Sequence, residues 1–473
     1  MAMTMRKRHK RGYNDIVDEM GGLPDEILVS ILSLLPLKEA AATSILSRRW
    51  RHLWTSTSTL TFDSDIMLYF DPTKSFKSET SKYINWVDSV MEQHRVPNIE
   101  HLKISFDLDE SRAVCINKWI QIALKKRVQI LELDLLEWGC FFQQDRQCYK
   151  LPRRLLHSNR DYIGSLKVLD FKSVAVDGKI LEYLLSSCPL LERLSVYDSQ
   201  KLVKLRVVGL SIALKYLSIE RCYKIKSIEI CDAPKLVSLI YHGESGGENL
   251  NSFLIRNVPL LVEVSILAEW MESFFKAGCL SQLEILRLYP SMVGICNKSV
   301  GFLSFCWNLL VPYSFCFQRY EKYLQFPPLA NLKYLELRVI AHDQCSLLQL
   351  TSVMKACPYL HRFVLQLRHF TPAFGGSLIK MNASKSPHYY LKVVEIAGYR
   401  GQTSDYEYVK YFIENAVELE KLIINPVKWT PYVADRNRIP KSISEVKMED
   451  EARAHARQHV REKVPSNIEF VCI

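Results

Sequence analysis

A short apolar pattern recurs along most of the sequence. Each copy has an apolar residue, two variable residues, an apolar residue, one variable residue and a third apolar residue. Because the side chains of a β-strand point alternately to its two faces, each copy predicts a short strand with its apolar residues turned inward. The copies are Ile99-Leu102-Ile104, Val128-Leu131-Leu133, Leu166-Leu169-Phe171, Leu191-Leu194-Val196, Leu214-Leu217-Ile219, Leu236-Leu239-Tyr241, Leu261-Val264-Ile266, Leu283-Leu286-Leu288, Leu332-Leu335-Leu337, Leu360-Phe363-Leu365, Leu391-Val394-Ile396 and Leu419-Leu422-Ile424.

The spacing of these copies predicts a repeat architecture. Most neighbouring copies are 22 to 31 residues apart, which is close to the period of a leucine-rich repeat. One repeat cannot bury its own apolar edge, so the repeats are expected to stack into a curved α/β solenoid. Helical stretches at 180–187 and 347–356 precede two of the strands. Two copies at half the period, starting at Leu202 and Ile225, indicate turns with little or no helix on the convex side.

Residues 289–327 depart from this period and are predicted to be an irregular insert. The copies that begin at Leu283 and Leu332 are 49 residues apart, about twice the usual step. Inside this gap, 299–318 has no charged residue and is rich in aromatic residues. A membrane-spanning helix needs about 20 apolar residues, and Asn308 and Pro312 interrupt this stretch, so a membrane span is disfavoured. A divergent repeat and a stretch outside the repeat plan are the two alternatives.

The segment 23–54 has the signals of three short helices. Pro24 suits the first position of a helix, and Asp25 and Glu26 follow in the first turn, where carboxylates interact favourably with the helix dipole. Pro36 ends this helix, and an alanine-rich helix and a third apolar segment follow. Three short helices cannot bury this many large apolar side chains among themselves. The segment is therefore expected to contact a partner, either the rest of the chain or another protein.

The same segment resembles the F-box of plant proteins. The resemblance rests on Leu23-Pro24-Asp25-Glu26-Ile27-Leu28, Leu34-Leu35-Pro36, Lys38-Glu39-Ala40, Leu46-Ser47-Arg48-Arg49-Trp50-Arg51 and Leu53-Trp54. It implies a module of three helices that docks the Skp-type adaptor of a cullin–RING ubiquitin ligase. The residues expected to bind this adaptor are Leu23, Pro24, Ile27, Leu28, Leu32, Leu35, Pro36 and Trp50.

The C-terminal stretch resembles the FBD module that ends many plant F-box/leucine-rich-repeat proteins. The residues that carry this resemblance are Val394-Glu395-Ile396, Gly398-Tyr399-Arg400-Gly401, Tyr411-Phe412-Ile413-Glu414-Asn415-Ala416 and Leu419-Glu420-Lys421-Leu422. Together the two resemblances cover nearly the whole chain. They divide it into a disordered basic leader at 1–17, an F-box at 18–60, a connector at 61–98, a solenoid at 99–385 and an FBD-like module at 386–473.

The variable positions of the strands are predicted to line the concave face of the solenoid, the face on which such repeats bind extended partners. Several of these positions carry Tyr and Arg, the residues that protein interfaces favour as anchors. The alternative is that they are only solvated strand positions. The residues expected to bind a protein target are Arg193, Tyr197, Tyr216, Glu220, Arg287, Tyr289, Tyr334, Glu336 and Arg338.

Composition and charge predict a protein of the nucleus or cytoplasm. The thirteen cysteines show no CxxC motif, which argues against a zinc ribbon and a disulfide framework. Five of the positive charges that give a net charge of +11 lie in the tract 6–11. This tract is either a nuclear address or a solvated leader, and the remaining charge is too diffuse to indicate nucleic acid. No apolar stretch follows the tract directly, so a secretory signal is not predicted.

Motifs for catalysis are weak. Residues 243–247, Gly-Glu-Ser-Gly-Gly, match a nucleophile elbow, but the apolar helix that should follow is missing. His455 and His459 have the spacing of metal ligands, but the glutamate of HExxH is absent and arginines surround them. No catalytic residue, metal site or cofactor is therefore predicted.

The sequence predicts a non-catalytic substrate-recognition subunit of a Skp–cullin–F-box ubiquitin ligase. By resemblance its partners are the Skp-type adaptor and, through it, cullin, while an unknown protein target binds the solenoid. Neither nucleic acid nor membrane is an expected partner. Such a subunit acts by proximity, because it holds the target near a ubiquitin-charged enzyme. The alternative is a nuclear or cytosolic repeat scaffold whose N-terminal helices only cap the solenoid, and a hydrolase is a distant third.

Overall fold

The computed structural model describes nine stretches of the 473-residue chain. They are residues 22–63, 76–135, 147–243, 252–267, 279–289, 328–341, 351–369, 386–427 and 442–473. The predicted leader at 1–17, Ser245 of the elbow-like motif, and 290–327 of the predicted insert lie outside these residues. Within the described stretches, no helix is long and apolar enough to cross a lipid bilayer.

One large parallel sheet forms the backbone of the fold. It has 14 strands in the order β1-β2-β3-β4-β5-β7-β9-β11-β12-β13-β14-β15-β16-β17. These strands are β1 (Thr59–Asp63), β2 (His101–Ser105), β3 (Ile130–Asp134), β4 (Val168–Lys172), β5 (Arg193–Tyr197), β7 (Tyr216–Glu220), β9 (Ser238–His242), β11 (Glu263–Leu267), β12 (Ile285–Tyr289), β13 (Tyr334–Ala341), β14 (Arg362–His369), β15 (Val393–Ala397), β16 (Lys421–Asn425) and β17 (Glu469–Cys472).

The register of this sheet follows the apolar pattern. In β5 and β7, for example, Leu194 pairs with Leu217 and Val196 pairs with Ile219, and all four side chains are buried. Each of the twelve predicted copies supplies one strand of the large sheet. The prediction of an α/β solenoid is confirmed, and the structure adds that its strands are parallel. We call the side of this sheet that faces away from the buried side chains the open face, which is the face predicted to be concave.

Two strands of the large sheet lie outside the predicted copies. In both, a polar residue occupies the first position of the pattern, Thr57 before β1 and Asn467 before β17. Thr57 is nevertheless buried, because its hydroxyl donates a hydrogen bond to the Trp54 carbonyl over 2.9 Å. The stretch 61–98, which was predicted as a connector, contains the end of β1 and the long helix Phe76–Gln93.

A second parallel sheet of three strands covers the other side of the core. Its order is β10-β8-β6, with β6 (Lys204–Val208), β8 (Ser227–Cys231) and β10 (Ser252–Arg256). β6 and β8 are the two half-period copies, so strands stand here where other repeats carry a helix. The inward residues of these strands, such as Leu205 and Ile228, join the same core as those of the large sheet.

Helices fill the remaining connections and bury one face each. The helix α4, for example, places Ile116, Trp119 and Ile120 in the core. The described α-helices are α1 (Asp25–Leu32), α2 (Leu37–Ala42), α3 (Phe76–Gln93), α4 (Ala113–Lys125), α5 (Arg153–Ser158), α6 (Gly178–Ser187), α7 (Thr351–Lys355), α8 (Thr403–Asn415) and α9 (Ile443–His455).

Several strands are directly followed by a residue with left-handed backbone geometry. Ser173, Asp198, Arg221, Asp232 and Asn257 directly follow strands and have φ between 52° and 56°. Asp and Asn tolerate this conformation better than other non-glycine residues. These side chains also bond along the solenoid: Ser173 donates to Asp198 over 3.0 Å, and Asn257 donates to Asp232 over 2.8 Å. Arg221 is the bulky member of this set.

The C-terminal stretch continues the large sheet. β14 pairs directly with β15, β15 with β16, and β16 with β17, all in parallel. The stretch at 386–473 that was predicted as an FBD-like module therefore contributes the last three strands of the same sheet, with α8 and α9 packed on it.

We expect the substitution Gly398→Ala to lower the free energy of unfolding by at least about 2 kcal/mol. Gly398 follows β15 with φ of +76°, and a Cβ atom there would lie 2.1 Å from the Leu367 carbonyl oxygen. Urea unfolding measures the effect. Gly164→Ala is the matched control, because a Cβ at Gly164 meets nothing within 4 Å, and its effect should stay below about 0.5 kcal/mol. Equal effects of the two substitutions would contradict the expectation.

Candidate functional site

The N-terminal helices pack onto the start of the solenoid. Leu28 and Leu32 share one face of α1 and are buried, as is Leu37 in α2. The 3₁₀ helix Trp50–Ser56 adds Trp50, Leu53 and Trp54 to the same core, which also contains Leu60 of β1. Lys38 Nζ lies 5.1 Å from the centre of the Trp86 ring on α3, and burial lowers the pKa of Lys38. These helices therefore cap the solenoid.

Arg49 ties the beginning of α1 to the third helical segment. Its Nε and Nη2 donate to Asp25 Oδ1 over 2.8 and 2.6 Å, and Nη2 also donates to the Leu23 carbonyl oxygen. The start of α1 is thereby held against a residue 24 positions later in the chain. This contact fixes the Leu23-Pro24 turn relative to the rest of the segment.

Capping leaves a set of large apolar side chains in solvent. Leu34, Ile45 and Leu46 are 84%, 88% and 64% exposed, and Ile27 and Leu35 are also exposed. We call these five residues the exposed apolar set. They all fall within 27–46, in α1, in the turn before α2 and just after α2. Surfaces with this many exposed large apolar groups are typical of protein–protein contacts.

The predicted adaptor-binding residues divide into two groups. Pro24, Ile27, Leu35 and Pro36 are exposed and Leu23 is half-buried, so they remain available to a partner. Leu28, Leu32 and Trp50 are buried in the chain's own core, so their direct role is structural. Sequence reasoning missed Leu34, Ile45 and Leu46 as contact candidates. The sequence did hold a signal for their exposure. Leu34 lies close to Pro36, and Ile45 and Leu46 lie close to the arginine-rich tract, so all three are at the ends of short helices, where little of the chain is available to cover them.

The residues predicted to bind a target do lie together on the open face. The register places Arg193 beside Tyr216, Tyr197 beside Glu220, and Arg287 beside Glu336. Tyr289 is the last residue of β12, and Arg338 lies in the middle of the neighbouring strand β13. They form two side-chain clusters that are joined by His242 of β9.

The first cluster lies on β5 and β7. The Arg193 guanidinium lies 4.3 Å from the centre of the Tyr216 ring, a cation–π contact at an exposed site. Arg221 Nη1 donates to the Tyr197 hydroxyl over 3.0 Å, and its Nε donates to the Tyr223 hydroxyl. Arg221 was not predicted as a site residue, although it follows a predicted one. Its left-handed backbone is the kind of local strain that accumulates at functional sites.

The second cluster surrounds Glu336. This carboxylate accepts from Arg338 Nε over 3.0 Å and from the Tyr334 hydroxyl over 3.1 Å, and Arg287 Nε lies 3.4 Å away. Arg287 also donates to Glu263, and Arg338 lies 3.9 Å from the centre of the Tyr289 ring. Burial and the Glu336 charge raise the pKa of Tyr334 to about 12. Glu336, only 5% exposed, and Tyr289 are thus packed inside the cluster, although both were predicted as outward contacts.

His242 connects the clusters through a row of polar groups. Its Nδ1 lies 3.2 Å from Glu220 Oε2 and its Nε2 lies 2.9 Å from Ser265 Oγ, while its ring contacts Tyr289. This order resembles a serine–histidine–acid triad. However, Ser265 is 2% exposed and β11 pairs with strands on both sides, so nucleophile access and free oxyanion donors on that strand are absent. Burial, the largest single influence, raises the pKa of Glu220, but the hydrogen bonds from His242 and Ser218 together with the charges of His242 and Lys172 lower it overall.

The described residues do not form a metal site. No group of three or more His, Cys, Asp or Glu side chains there could hold a metal ion. His455 and His459 contact each other at 4.7 Å between ring centres, and His455 Nδ1 lies 3.0 Å from the Tyr399 hydroxyl. These histidines belong to the packing of the C-terminal strands and helices.

Comparison with known proteins agrees with this architecture. The family model of the At1g61320/AtMIF1 LRR domain matches residues 90–259 and 322–473, and the F-box domain model matches residues 21–61. The gap at 260–321 overlaps the predicted insert at 289–327.

Arabidopsis thaliana has several similar proteins. The chain is 28% identical over 435 residues to F-box/FBD/LRR-repeat protein At5g22700, covering 86% of this chain and 92% of that protein. It is 28% identical over 442 residues to FBD-associated F-box protein At5g38590, covering 89% and 97%. It is 31% identical over 277 residues to F-box/LRR-repeat protein At3g26922, covering 55% and 85%. The chain therefore belongs to the plant F-box/leucine-rich-repeat family, several members of which also carry the FBD name.

Proposed function

We propose that the chain is the target-recognition subunit of a Skp–cullin–F-box ubiquitin ligase. The F-box binds a Skp-type adaptor, the adaptor connects to cullin, and the open face of the solenoid holds a protein target. The chain contributes proximity and no bond-making chemistry of its own. Nucleic acid, membrane and cofactors have no part in this function, and we assign it to the nucleus or cytoplasm.

The exposed apolar set is the observation that carries the proposal. An F-box implies binding of a Skp1-type adaptor, and this set lies inside the segment that matches the F-box domain. A module that only capped the solenoid would need Leu28, Leu32, Trp50 and Trp54, which are buried, but not five large apolar groups in solvent. Capping and adaptor binding thus use different residues of one module, and the pure scaffold alternative leaves the exposed ones unexplained.

The side-chain clusters support the open face as the target-binding surface. Arg and Tyr, the residues that dominate interface energetics, recur on β5, β7, β12 and β13. They are held in place by hydrogen bonds and ring contacts before any partner arrives. Preorganised side chains lose less conformational entropy on binding, which favours affinity.

Assembly from purified components tests the proposal. The full chain, a Skp-type adaptor and a cullin are mixed at micromolar concentration and analysed by size-exclusion chromatography with light scattering. We expect one complex of all three proteins, in which cullin joins the chain only when the adaptor is present. A chain that elutes separately from the adaptor would leave the scaffold alternative.

A further inference from the structure

Most carboxylates on the open face have a cationic partner on an adjacent strand. The register of the sheet brings each of these Asp or Glu side chains beside a Lys or Arg. The pairs are Asp63 with Lys103, Asp134 with Lys172, Glu263 with Arg287, Glu336 with Arg287, Glu395 with Arg362, and Glu469 with Lys421. Glu132 contacts His101 at 3.4 Å and pairs in register with Lys103. The open face therefore neutralises most of its own negative charge.

Glu220 departs from this rule. Its Oε1 accepts from the Ser218 hydroxyl over 2.8 Å and its Oε2 lies 3.2 Å from His242 Nδ1. Among the described residues, no Lys or Arg forms an ion pair with it. Its register neighbours are Tyr197 and His242, and its side chain is one-third exposed, at 33%. The pKa of Glu220 is lowered, since hydrogen bonds and nearby positive charge outweigh burial, so the group is charged near neutral pH.

The cations closest to Glu220 along the sheet are engaged elsewhere. Lys172 lies 3.9 Å from Asp134, and Arg221 is turned onto the rings and hydroxyls of Tyr197 and Tyr223. The positive charge of Lys172 acts on Glu220 only from beyond ion-pair distance. A partly buried carboxylate with oriented donors and no Lys or Arg in direct contact is electrostatically incomplete, because charged groups in such places are normally paired. The missing element is a basic side chain in direct contact.

We propose that Glu220 is the contact on the open face for a lysine or arginine side chain of the protein target, an inference that rests on the proposed function. The Ser218 and His242 contacts hold the two carboxylate oxygens in position, so that an incoming ammonium or guanidinium group forms a charge-assisted hydrogen bond. Tyr197, which lies beside Glu220 in the register and is only partly buried, supplies an aromatic wall for the aliphatic stem of that side chain. The target therefore presents a basic side chain to the middle of the solenoid.

A random peptide library displayed on phage tests this inference on the full chain. Selections run in parallel on the unmodified chain, Glu220→Gln, Glu220→Lys and Glu395→Gln. We expect the unmodified chain and Glu395→Gln to enrich Arg or Lys at one position, because Arg362 already neutralises Glu395. Glu220→Gln should lose this preference, and Glu220→Lys should replace it by Asp or Glu.

A thermodynamic cycle with the selected peptide completes the test. Glu220→Gln should weaken binding by about 10- to 100-fold, the value of one charge-assisted contact. Replacing the peptide's arginine by citrulline, which has no charge, should weaken binding to the unmodified chain by a similar factor. The two changes together should cost little more than either alone.

The citrulline measurement uses the unmodified protein, so its result does not depend on whether the Glu220 variants fold correctly. The absence of basic residues among selected peptides, an absence of any enrichment, or additive effects in the cycle would overturn the assignment. Adaptor binding is measured on the same protein samples. A failure there rejects the proposed function, whereas a failure of the selections with the adaptor bound rejects only the role of Glu220.

Discussion

The double substitution Leu34→Asp and Leu46→Asp is expected to weaken adaptor binding at least about 100-fold. Burying a leucine side chain stabilises a complex by about 1.5 to 3 kcal/mol, so the loss of two such contacts removes about 3 kcal/mol or more. Each aspartate adds the cost of desolvating a charge in an apolar contact. The free energy of unfolding should hardly change, because both side chains are largely exposed in the chain. Isothermal titration calorimetry with purified adaptor gives the affinity.

The matched control for this prediction is Leu210→Asp with Leu260→Asp. These leucines are 70% and 53% exposed and lie in turns of the solenoid, outside the F-box. Both variants replace two exposed leucines by aspartate, so they change solubility in the same way. A difference in adaptor affinity between them therefore comes from the position of the substitutions. We expect unchanged adaptor affinity. Equal weakening by the two pairs would mean that the exposed apolar set is not the adaptor contact.

The second large effect concerns the stability of the cluster around Glu336. Arg287→Ala combined with Arg338→Ala should lower the free energy of unfolding by about 3 kcal/mol. The reason is that Glu336 is buried and would lose both cationic partners, keeping only the Tyr334 hydroxyl. Removing one side of a buried ion pair leaves a desolvated charge, which costs more than the pair contributed. Guanidinium chloride unfolding, followed by far-ultraviolet circular dichroism, measures the change.

Adding Glu336→Gln to that double variant should restore part of the lost stability, since the Glu336 charge is gone while Glu263 still lacks Arg287. Arg206→Ala is the control, because Arg206 and Glu229 form an exposed ion pair at 2.8 Å on the small sheet. Exposed pairs contribute little, so this variant should unfold like the unmodified chain. If the triple variant were less stable than the double, the buried charge would not be the cause.

The strands could be predicted from the sequence because each follows three apolar residues at a fixed spacing. Leu191, Leu194 and Val196 define β5, and the same holds for eleven further copies. The pattern fails for β1 and β17, since Thr57 and Asn467 hold its first position and tertiary pairing with β2 and β16 makes these strands. The periodicity of the amino-acid sequence does not reveal strands that form only through pairing with a neighbouring strand.

The candidate sites were predicted less completely, because exposure depends on the neighbouring elements. Helical spacing identifies Leu28 and Leu32 as apolar but not whether they face the solenoid or a partner; packing against the 3₁₀ helix Trp50–Ser56 decides this. Likewise, strand alternation turns Glu336 and Tyr289 out of the core, yet Arg287 and Arg338 fold over them and exclude solvent. Long side chains that cover one another leave no periodic signal.

If the chain acts as the proposed ligase subunit, the parallel register has a consequence for ubiquitin transfer. Adjacent strands of a sheet are about 4.8 Å apart, so each repeat adds a fixed step along the solenoid. β7 is the sixth strand of the large sheet, about 24 Å along it from β1, and β13 is the tenth, about 43 Å along. Because the F-box shares a core with β1, these distances are measured from the F-box. In the ligase that we propose, the repeat that holds the target would then set the distance between the acceptor lysines of the target and the ubiquitin-charged enzyme.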